Sequence, residues 1–391
     1  MASTGKILLC VTGGIAAYKA IDLASMLHKA GYEVKTLLSQ SAMKFVGSIS
    51  FAAITHDSVH HSLWEDADPI PHINLADWAD MMVVAPATAN SIARAAHGLA
   101  DDLLGSTLLA HQKPVLWVPA MNVHMYENPI TQRNLDILRE AGHHVLSPTR
   151  GMLACGYEGI GKYPPNIEIM QAISCYMVHG KDLSGIKAMV TAGGTVERVD
   201  PMRTISNRSS GKMGVAIARA LALRGAEVTL IYGAISVELP HMLSESVRAE
   251  SVDEMYSAVM QRAPQMDWII KCAAVSDFKP LNTMEHKIKK GGNLSLELVA
   301  TKDILADLGK QKKPGQKLIG FAAETDDLIA NASTKLKAKN LDLIVANLLD
   351  NAAADNNDIT LIDNHSANST PSIKGTKAEL AHIIIDRVKA L

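Results

Sequence analysis

The sequence predicts an α/β protein of two doubly wound, Rossmann-like domains, and three observations predict it. Apolar runs of strand length alternate with helical stretches along the chain. The opening run, KILLCVT, ends in the paired glycines Gly13 and Gly14; a second, KAMVTAGG, starts near Lys187 and ends in Gly193 and Gly194. Each glycine turn precedes a helix, directly in the first case and after a polar loop in the second. That is the order of a parallel sheet with ligands at its carboxyl edge.

Taken in order, KILLCVT is continuously apolar, as a central parallel strand is. Ile15 to Lys29 reads as a helix stopped by Gly31, YEVKTLLS as the second strand, and MMVVAPA (81–87) and PVLWVPA (114–120) as further strands. In the second half KMGVAIARALALRG is a helix ending at Gly225, and AEVTLIYG, MDWIIKCAAV and LDLIVANLL are strands. Ser251 with Glu254 and Thr376 with Glu379 have capping-box spacing. DITLID, before the last helix, reads as an edge strand or hairpin arm. The polar stretch VHGKDLSGIK (178–187) fits a linker and sets the expected domains at 1–187 and 188–391.

A chain of 391 residues can bury two cores. Its net charge of −2 offers no long-range attraction to nucleic acid or a membrane surface, and at 4% aromatic residues it lacks stacking platforms for bases. Cys10, Cys155, Cys175 and Cys272 follow no metal-ligand spacing and read as reduced thiols. No apolar run reaches membrane-spanning length, so a soluble cytoplasmic protein is expected.

Several polar stretches stand out. TGGIAAYK (12–19) lacks the GxGxxG spacing, and a simple turn explains it as well as a flavin or mononucleotide phosphate does. APATANSIAR puts Thr88, Asn90 and Ser91 where a buried strand opens into a helix. Two such loops at one sheet edge favour a site, although helix capping alone would use the same residues. Asn122 follows a strand, where turn formation is the simpler explanation, and its amide suits holding a carboxylate. His72, after a proline in a polar loop, is a candidate base. RGMLACGYEGIGKY (150–163) has neither helix nor strand period, and its glycines fit a mobile lid carrying Cys155. Cys10, Cys175 and Cys272 read as core residues. In the second half Ser209, Ser210, Gly211 and Lys212 have the ingredients of a phosphate site without a Walker spacing. Asp277 lies just past a strand, where a hydroxyl- or metal-binding carboxylate sits. HKIKK (286–290) and KLKAK (335–339) concentrate positive charge, as solvated faces or as a triphosphate clamp.

TGGIAAYK, PATAN, PAMN and the ACG of the glycine loop, in that order, resemble the flavin-containing cysteine decarboxylases. GGTVERVD, ISNRSSGKMG, CAAVSDF, KIKK, GFAAET and KNLDLIVAN resemble phosphopantothenate–cysteine ligases. The fused pair is similar to the bacterial bifunctional coenzyme A biosynthesis flavoproteins over essentially the whole chain. The resemblance implies a flavodoxin-like first domain that binds FMN through Gly13, Gly14, Ile15, Ser39, Thr88 and Asn90. It implies His72 as the active-site histidine, Asn122 as the holder of the substrate carboxylate and Cys155 as the proton donor. In the ligase half it implies Asn207 for handling an acyl-cytidylate, and Ser209 to Lys212 for the phosphate of 4′-phosphopantothenate. Ala273, Ala274, Val275, Asp277, Lys287, Lys302, Asp303, Ile304, Leu305, Phe321, Lys335 and Lys339 match positions that contact CTP, with Mg²⁺ accompanying the nucleotide. Lys287 is the expected stabiliser of transition-state charge. Tyr126, Gly194 and the Lys302–Asp303 pair depart from the family pattern without removing a charged or nucleophilic group.

The implied order of reactions is ligation of phosphopantothenate with cysteine, then FMN-dependent decarboxylation of phosphopantothenoylcysteine. The family further implies trimeric decarboxylase units tied by dimeric ligase domains into a dodecamer. A regulatory protein that has lost one activity would not need His72, Asn122, Cys155, Asn207 and Lys287 together. A nicotinamide oxidoreductase would need GxGxxG and an acidic end to the second strand, where Ser39 stands.

Overall fold

In the computed structural model, residues 4–64, 69–154, 156–289, 294–324, 328–348, 356–364 and 370–391 are described. The chain divides into two compact units, Met1–Val178 and His179–Leu391.

The first unit is built on six parallel strands. Across the sheet they run Val59–His60, Glu33–Leu38, Lys6–Val11, Met81–Ala87, Val115–Pro119 and His144–Val145. In chain order this is 3-2-1-4-5-6, and the direction of winding reverses between Lys6–Val11 and Met81–Ala87. Those two neighbours are almost wholly buried, which is why both read as unbroken apolar runs. The helix Ala17–Lys29 buries Ala17, Ala20, Leu23, Ala24 and Leu27, the three-and-four spacing of one face. It starts two residues later than the apolar pattern indicates, because the Ala17 N–H closes a turn onto the Gly14 carbonyl oxygen (2.9 Å).

Two expectations for this unit are corrected. His72 is not in a loop: Pro71 opens the helix Pro71–Trp78, where its fixed φ suits the first helical position, and His72 follows it. The 150–163 stretch is not structureless either. Thr149–Met152 and Glu158–Lys162 pair as an antiparallel hairpin. Gly161 there serves close packing: at φ +140° its Cβ would stand 2.3 Å from the Met121 carbonyl oxygen. Cys155, between the strands, lies outside the described residues.

The second unit repeats the scheme with eight strands. Glu245–Arg248, Glu227–Tyr232, Lys187–Ala192, Trp268–Lys271, Lys317–Glu324 and Leu343–Leu348 are parallel, again in the order 3-2-1-4-5-6. Asn356–Asp363 and Ile373–Thr376 extend it as antiparallel strands. DITLID is therefore a hairpin arm, and the edge belongs to Ile373–Thr376. Along Lys187–Ala192, Ala188, Val190 and Ala192 enter one apolar cluster and Met189 the other, so both sheet faces are covered. Both capping boxes form.

The stretch expected as a linker is instead fastened to the second unit. Leu183 is buried, and the fully buried Arg224 grips Asp182 through Nε (2.8 Å) and Nη2 (2.6 Å) while reaching Asp386 through Nη1 (2.6 Å). Burial opposes the Asp182 charge, but the hydrogen bonds from Arg224 and Lys389 outweigh it and hold the carboxyl down at about 2.

Candidate active sites

In the first unit the two strands flanking the winding reversal end in Thr12–Gly14 and Thr88. The Thr12 hydroxyl donates to the Pro86 carbonyl oxygen (2.7 Å) and its oxygen accepts the Thr88 N–H (3.0 Å), locking the two loops together. Thr88 caps the helix Ala89–Ala96: its Oγ1 accepts the Ser91 N–H (3.3 Å) and shares a hydrogen bond with Ser91 Oγ (2.9 Å). Ser39, after the second strand, donates its N–H to the Val11 carbonyl oxygen (3.0 Å) and accepts the Ala42 N–H on Oγ (3.2 Å). Gly13 lets the following turn approach, since a Cβ there would lie 2.3 Å from Ser41 Cβ.

These loops border a cavity of about 770 Å³. Gly13, Gly14, Ile15, Ser39, Thr88, Asn90 and Asn122 all line it, together with the hairpin residues Met152, Gly161 and Lys162. Asn122 caps the next helix, its Oδ1 accepting the His124 N–H (2.8 Å), and this holds the side chain at the cavity wall. His72 is not among the lining residues; its Nδ1 is buried without a hydrogen-bond partner among the described residues. The sequence reading did not single out Lys19, Arg94, Lys162 or Tyr163, which also line the cavity. Burial, and then the Lys162 charge, lower the Lys19 pKa, and its ammonium stands 5.5 Å from the Tyr163 ring centre. The Tyr163 hydroxyl is buried and has no hydrogen-bond partner among the described residues. The fit to a flavin is good at the level of shape and donors. The Gly13 turn, packed too closely on Ser41 to carry a side chain, opens onto a large, partly apolar cavity rimmed by hydroxyls.

In the second unit three loops meet at the corresponding edge. Gly194 bridges to both Ala234 and Ala274. The Thr195 N–H donates to the Ala274 carbonyl oxygen (3.2 Å), and Thr195 Oγ1 accepts the Ser276 N–H (2.9 Å). Asn207 donates its side-chain amide to the Val275 carbonyl oxygen (3.0 Å). Ser209 and Ser210 lead to Gly211, which enters the helix Lys212–Leu223 at φ +74°; a Cβ there would meet Ile235 Cγ2 at 2.4 Å. Asn207, Ser209 to Gly211 and Ala273 to Val275 are thus brought together.

A cationic group borders the same edge. Lys271 ends its strand with Nζ on the Ala273 carbonyl oxygen (3.2 Å). Burial lowers its pKa to about 8, with Lys335 and Lys339 pushing the same way and Asp303 opposing. Lys339 pairs with Asp303 (2.7 Å), which caps the helix Ile304–Gln311. The Ile304 and Leu305 side chains belong to one core cluster of the unit, and Phe321 packs against the other. Lys302 is engaged with Asp253 (3.1 Å). Asp277 and Lys287 are exposed, and Lys290 lies outside the described residues. Lys271 was legible only as one charge interrupting an apolar strand. Among the described residues no group of three acidic, histidine or cysteine side chains is arranged to hold a metal ion, and no helix is long and apolar enough to cross a membrane.

The Flavoprotein family matches residues 1–177, and the DNA/pantothenate metabolism flavoprotein C-terminal domain matches 183–391. The coenzyme A biosynthesis bifunctional protein CoaBC of Bacillus subtilis (strain 168) is 46% identical over 352 residues, covering 89% of this chain and 86% of its own. The protein of that name from Haemophilus influenzae is 40% identical over 396 residues, 99% of each chain. The chain belongs to the CoaBC family. A solved CoaBC C-terminal domain is 37% identical, covering 54% of this chain and 97% of its own at a TM-score of 0.46. As a CoaBC protein the chain is a bifunctional flavoprotein enzyme of coenzyme A biosynthesis, with phosphopantothenate–cysteine ligase and phosphopantothenoylcysteine decarboxylase activities.

Proposed function

We propose that the first unit is the decarboxylase and the second the ligase, and that the cofactor is FMN. The observation that carries this is the first-unit cavity: the six expected cofactor residues and Asn122 line one space at the winding reversal. Gly13, Gly14, Ile15, Ser39, Thr88 and Asn90 would hold the cofactor, with the N-terminus of the helix Ala17–Lys29 favouring its phosphate. Bound flavin supplies a two-electron acceptor and donor, which is what carboxylate loss beside a thiol requires. Asn122 holds the departing carboxylate, His72 serves as base and Cys155 returns a proton to the product carbon. His72 does not line the cavity of its own chain, which supports a site completed between subunits. A homo-oligomer of trimeric decarboxylase units joined through dimeric ligase units into a dodecamer, in the cytoplasm, agrees with that reading.

In the ligase, the phosphopantothenate carboxylate attacks the α-phosphorus of CTP and releases pyrophosphate; the cysteine amine then displaces CMP. Ser209, Ser210, Gly211 and Lys212 receive the phosphopantothenate phosphate at a helix start. Ala273 to Val275 offer peptide groups to the nucleotide. Lys302 and Asp303 contact it at the loop, and Ile304 and Leu305 through their peptide N–H groups alone, their side chains being in the core. Phe321, Lys335 and Lys339 complete its pocket, and Lys287 neutralises charge that develops on the phosphates. Asp277 would hold Mg²⁺ together with the phosphate oxygens of the nucleotide, and the ion would supply charge neutralisation there. Asn207 holds the acyl-cytidylate for the amine.

Incubation with phosphopantothenate, cysteine and CTP tests the reading by product mass. The expected product is phosphopantetheine, formed with pyrophosphate by a yellow protein. Colourless protein that binds no FMN, or CTP left intact beside both precursors, would overturn it.

A further inference from the structure

Residues 281–289 form an irregular stretch between the paired strands Phe278–Pro280 and Leu298–Ala300, and all but Ile288 are exposed. A segment like this keeps large conformational entropy unless something outside it fixes its backbone. Lys287, assigned above to transition-state charge, lies in it. Its neighbour Ile288 is held on both sides of its backbone by residues more than eighty positions earlier. The Ile288 N–H donates to Asp200 Oδ2 (3.1 Å), and Arg203 donates from both Nη1 and Nη2 to the Ile288 carbonyl oxygen (3.3 Å each).

Asp200 divides its two oxygens between two tasks. Oδ1 accepts the N–H groups of Met202 (2.7 Å) and Arg203 (2.8 Å), shaping its own turn. Oδ2 accepts Arg203 Nη1 (2.6 Å) and reaches out to Ile288. The carboxylate is fully buried although Met202 and Arg203 are exposed. Burial opposes its charge, but the N–H groups of Met202, Ile288 and Arg203 and the Arg203 guanidinium prevail and hold the carboxyl below its usual range. A local turn would be satisfied by Oδ1 alone. Two further bonds tie the same segments: Met284 N–H to the Val199 carbonyl oxygen (3.0 Å) and Thr283 Oγ1 to the Arg198 carbonyl oxygen (3.2 Å).

We infer that Asp200 and Arg203 are positioning residues of the ligase, a clamp on the Ile288 peptide that presents Lys287 to the nucleotide phosphates. The inference rests on the role proposed for Lys287 and adds the device that makes it effective. A lysine on an unfixed loop would have to be ordered in every turnover; one on a clamped peptide is already placed.

The test is a double-mutant cycle in the full chain with Asp200→Asn and Lys287→Gln, reading pyrophosphate release and amide formation. Decarboxylation of added phosphopantothenoylcysteine serves as the internal control. Asp200→Asn is expected to lower the ligation kcat by about tenfold or more with a smaller change in the KM for CTP, leaving decarboxylation at the parent rate. In the Lys287→Gln background the same substitution is expected to cost less than about twofold, because the group it positions is gone. If Lys287→Gln is impaired and the two losses multiply, the clamp is wrong and the Lys287 assignment stands. If Lys287→Gln alone leaves ligation unchanged, the assignment fails and the clamp falls with it. Should Asp200→Asn not fold, as a second-unit thermal transition would report, Arg203→Lys takes its place in the cycle: it keeps a cation beside Asp200 and loses the fork to Ile288.

Discussion

The side-chain amide of Asn207 donates to the Val275 carbonyl oxygen across 3.0 Å, joining the loop before the helix Lys212–Leu223 to the one after the strand Trp268–Lys271. Asn207→Asp replaces the donor by an acceptor and sets a carboxylate against a carbonyl. Losing such a bond and creating that repulsion costs about 1–3 kcal/mol, so ligation should fall roughly 5- to 150-fold. The second step, attack by the cysteine amine, should suffer more than pyrophosphate release. Quenched single-turnover reactions measure the two separately. Equal losses in both would remove Asn207 from the handling of the intermediate.

Gly13→Ala probes the other site. The new Cβ would lie 2.3 Å from Ser41 Cβ and 2.7 Å from the Ser41 carbonyl carbon, so one of the two loops bordering the cavity must move. The variant should be purified colourless and should take up far less flavin on reconstitution, while ligation persists in the other unit. Absorbance per chain after reconstitution is the measurement. Parent stoichiometry and affinity would mean that this turn does not border the cofactor.

Which parts of the molecule were legible in the sequence follows from how far each signal travels along the chain. Met81–Ala87 was readable to the residue because burial on both faces demands an unbroken apolar run. Ser251 and Glu254 announced their helix because a capping box is complete within four residues. The hairpin around Cys155 was missed because its glycines serve close contacts, such as Gly161 against Met121, that have no local pattern. In the sites, Gly13, Ser39 and Thr88 follow strands and were found by position. Lys19 and Lys162 were not, since helix and hairpin bring them to one cavity only after folding. Asp200 belonged to a quoted motif, yet its partner Ile288 lies 88 residues away, beyond the reach of any spacing rule.

Lys271 should be a place where stability yields to function. Its ammonium is buried beside Lys335 and Lys339, while the nearby carboxylate of Asp303 is engaged by Lys339. The folded-state pKa, about 8, is below the ordinary lysine value. Between about pH 8 and 10.5 the unfolded chain therefore binds more protons, and stability rises with pH across that window. Lys271→Met loses one hydrogen bond but removes a buried charge, and at pH 7 should gain about 1–2 kcal/mol. Calorimetry of the full chain should show the second-unit transition moving up by a few degrees at pH 7, with the advantage shrinking by pH 10. The KM for CTP should rise, because the cationic group bordering the ligase edge loses one charge. An unchanged or lowered transition at pH 7 would contradict the buried-charge argument.

His382 should make the second unit acid-sensitive well above the range where its carboxylates titrate. It stacks on His179 with ring centres 5.2 Å apart, and its buried Nδ1 has no hydrogen-bond partner among the described residues. Burial lowers its pKa to about 4, helped by His179 and Arg224 and opposed by Asp386 and Asp182. The folded state thus keeps the ring neutral at a pH where the unfolded chain, with a histidine near 6.5, already binds a proton. Stability is complete above about pH 6.5 and declines as pH falls to about 4, where the folded ring also protonates. Allowing for the partial exposure of the ring, the loss should be about 1–2 kcal/mol, or a few degrees in the melting temperature. Asp182, held at about 2, adds nothing in this window, because its stabilising pair is lost only as pH falls from near 4 through about 2. His382→Phe keeps the stacking partner for His179 without the titrating nitrogens. Melting temperatures of parent and variant between pH 4.5 and 7.5 should diverge, with the parent falling more steeply and the variant keeping the residual acid sensitivity of His179, whose pKa burial also lowers. Parallel curves would assign the acid sensitivity to other groups.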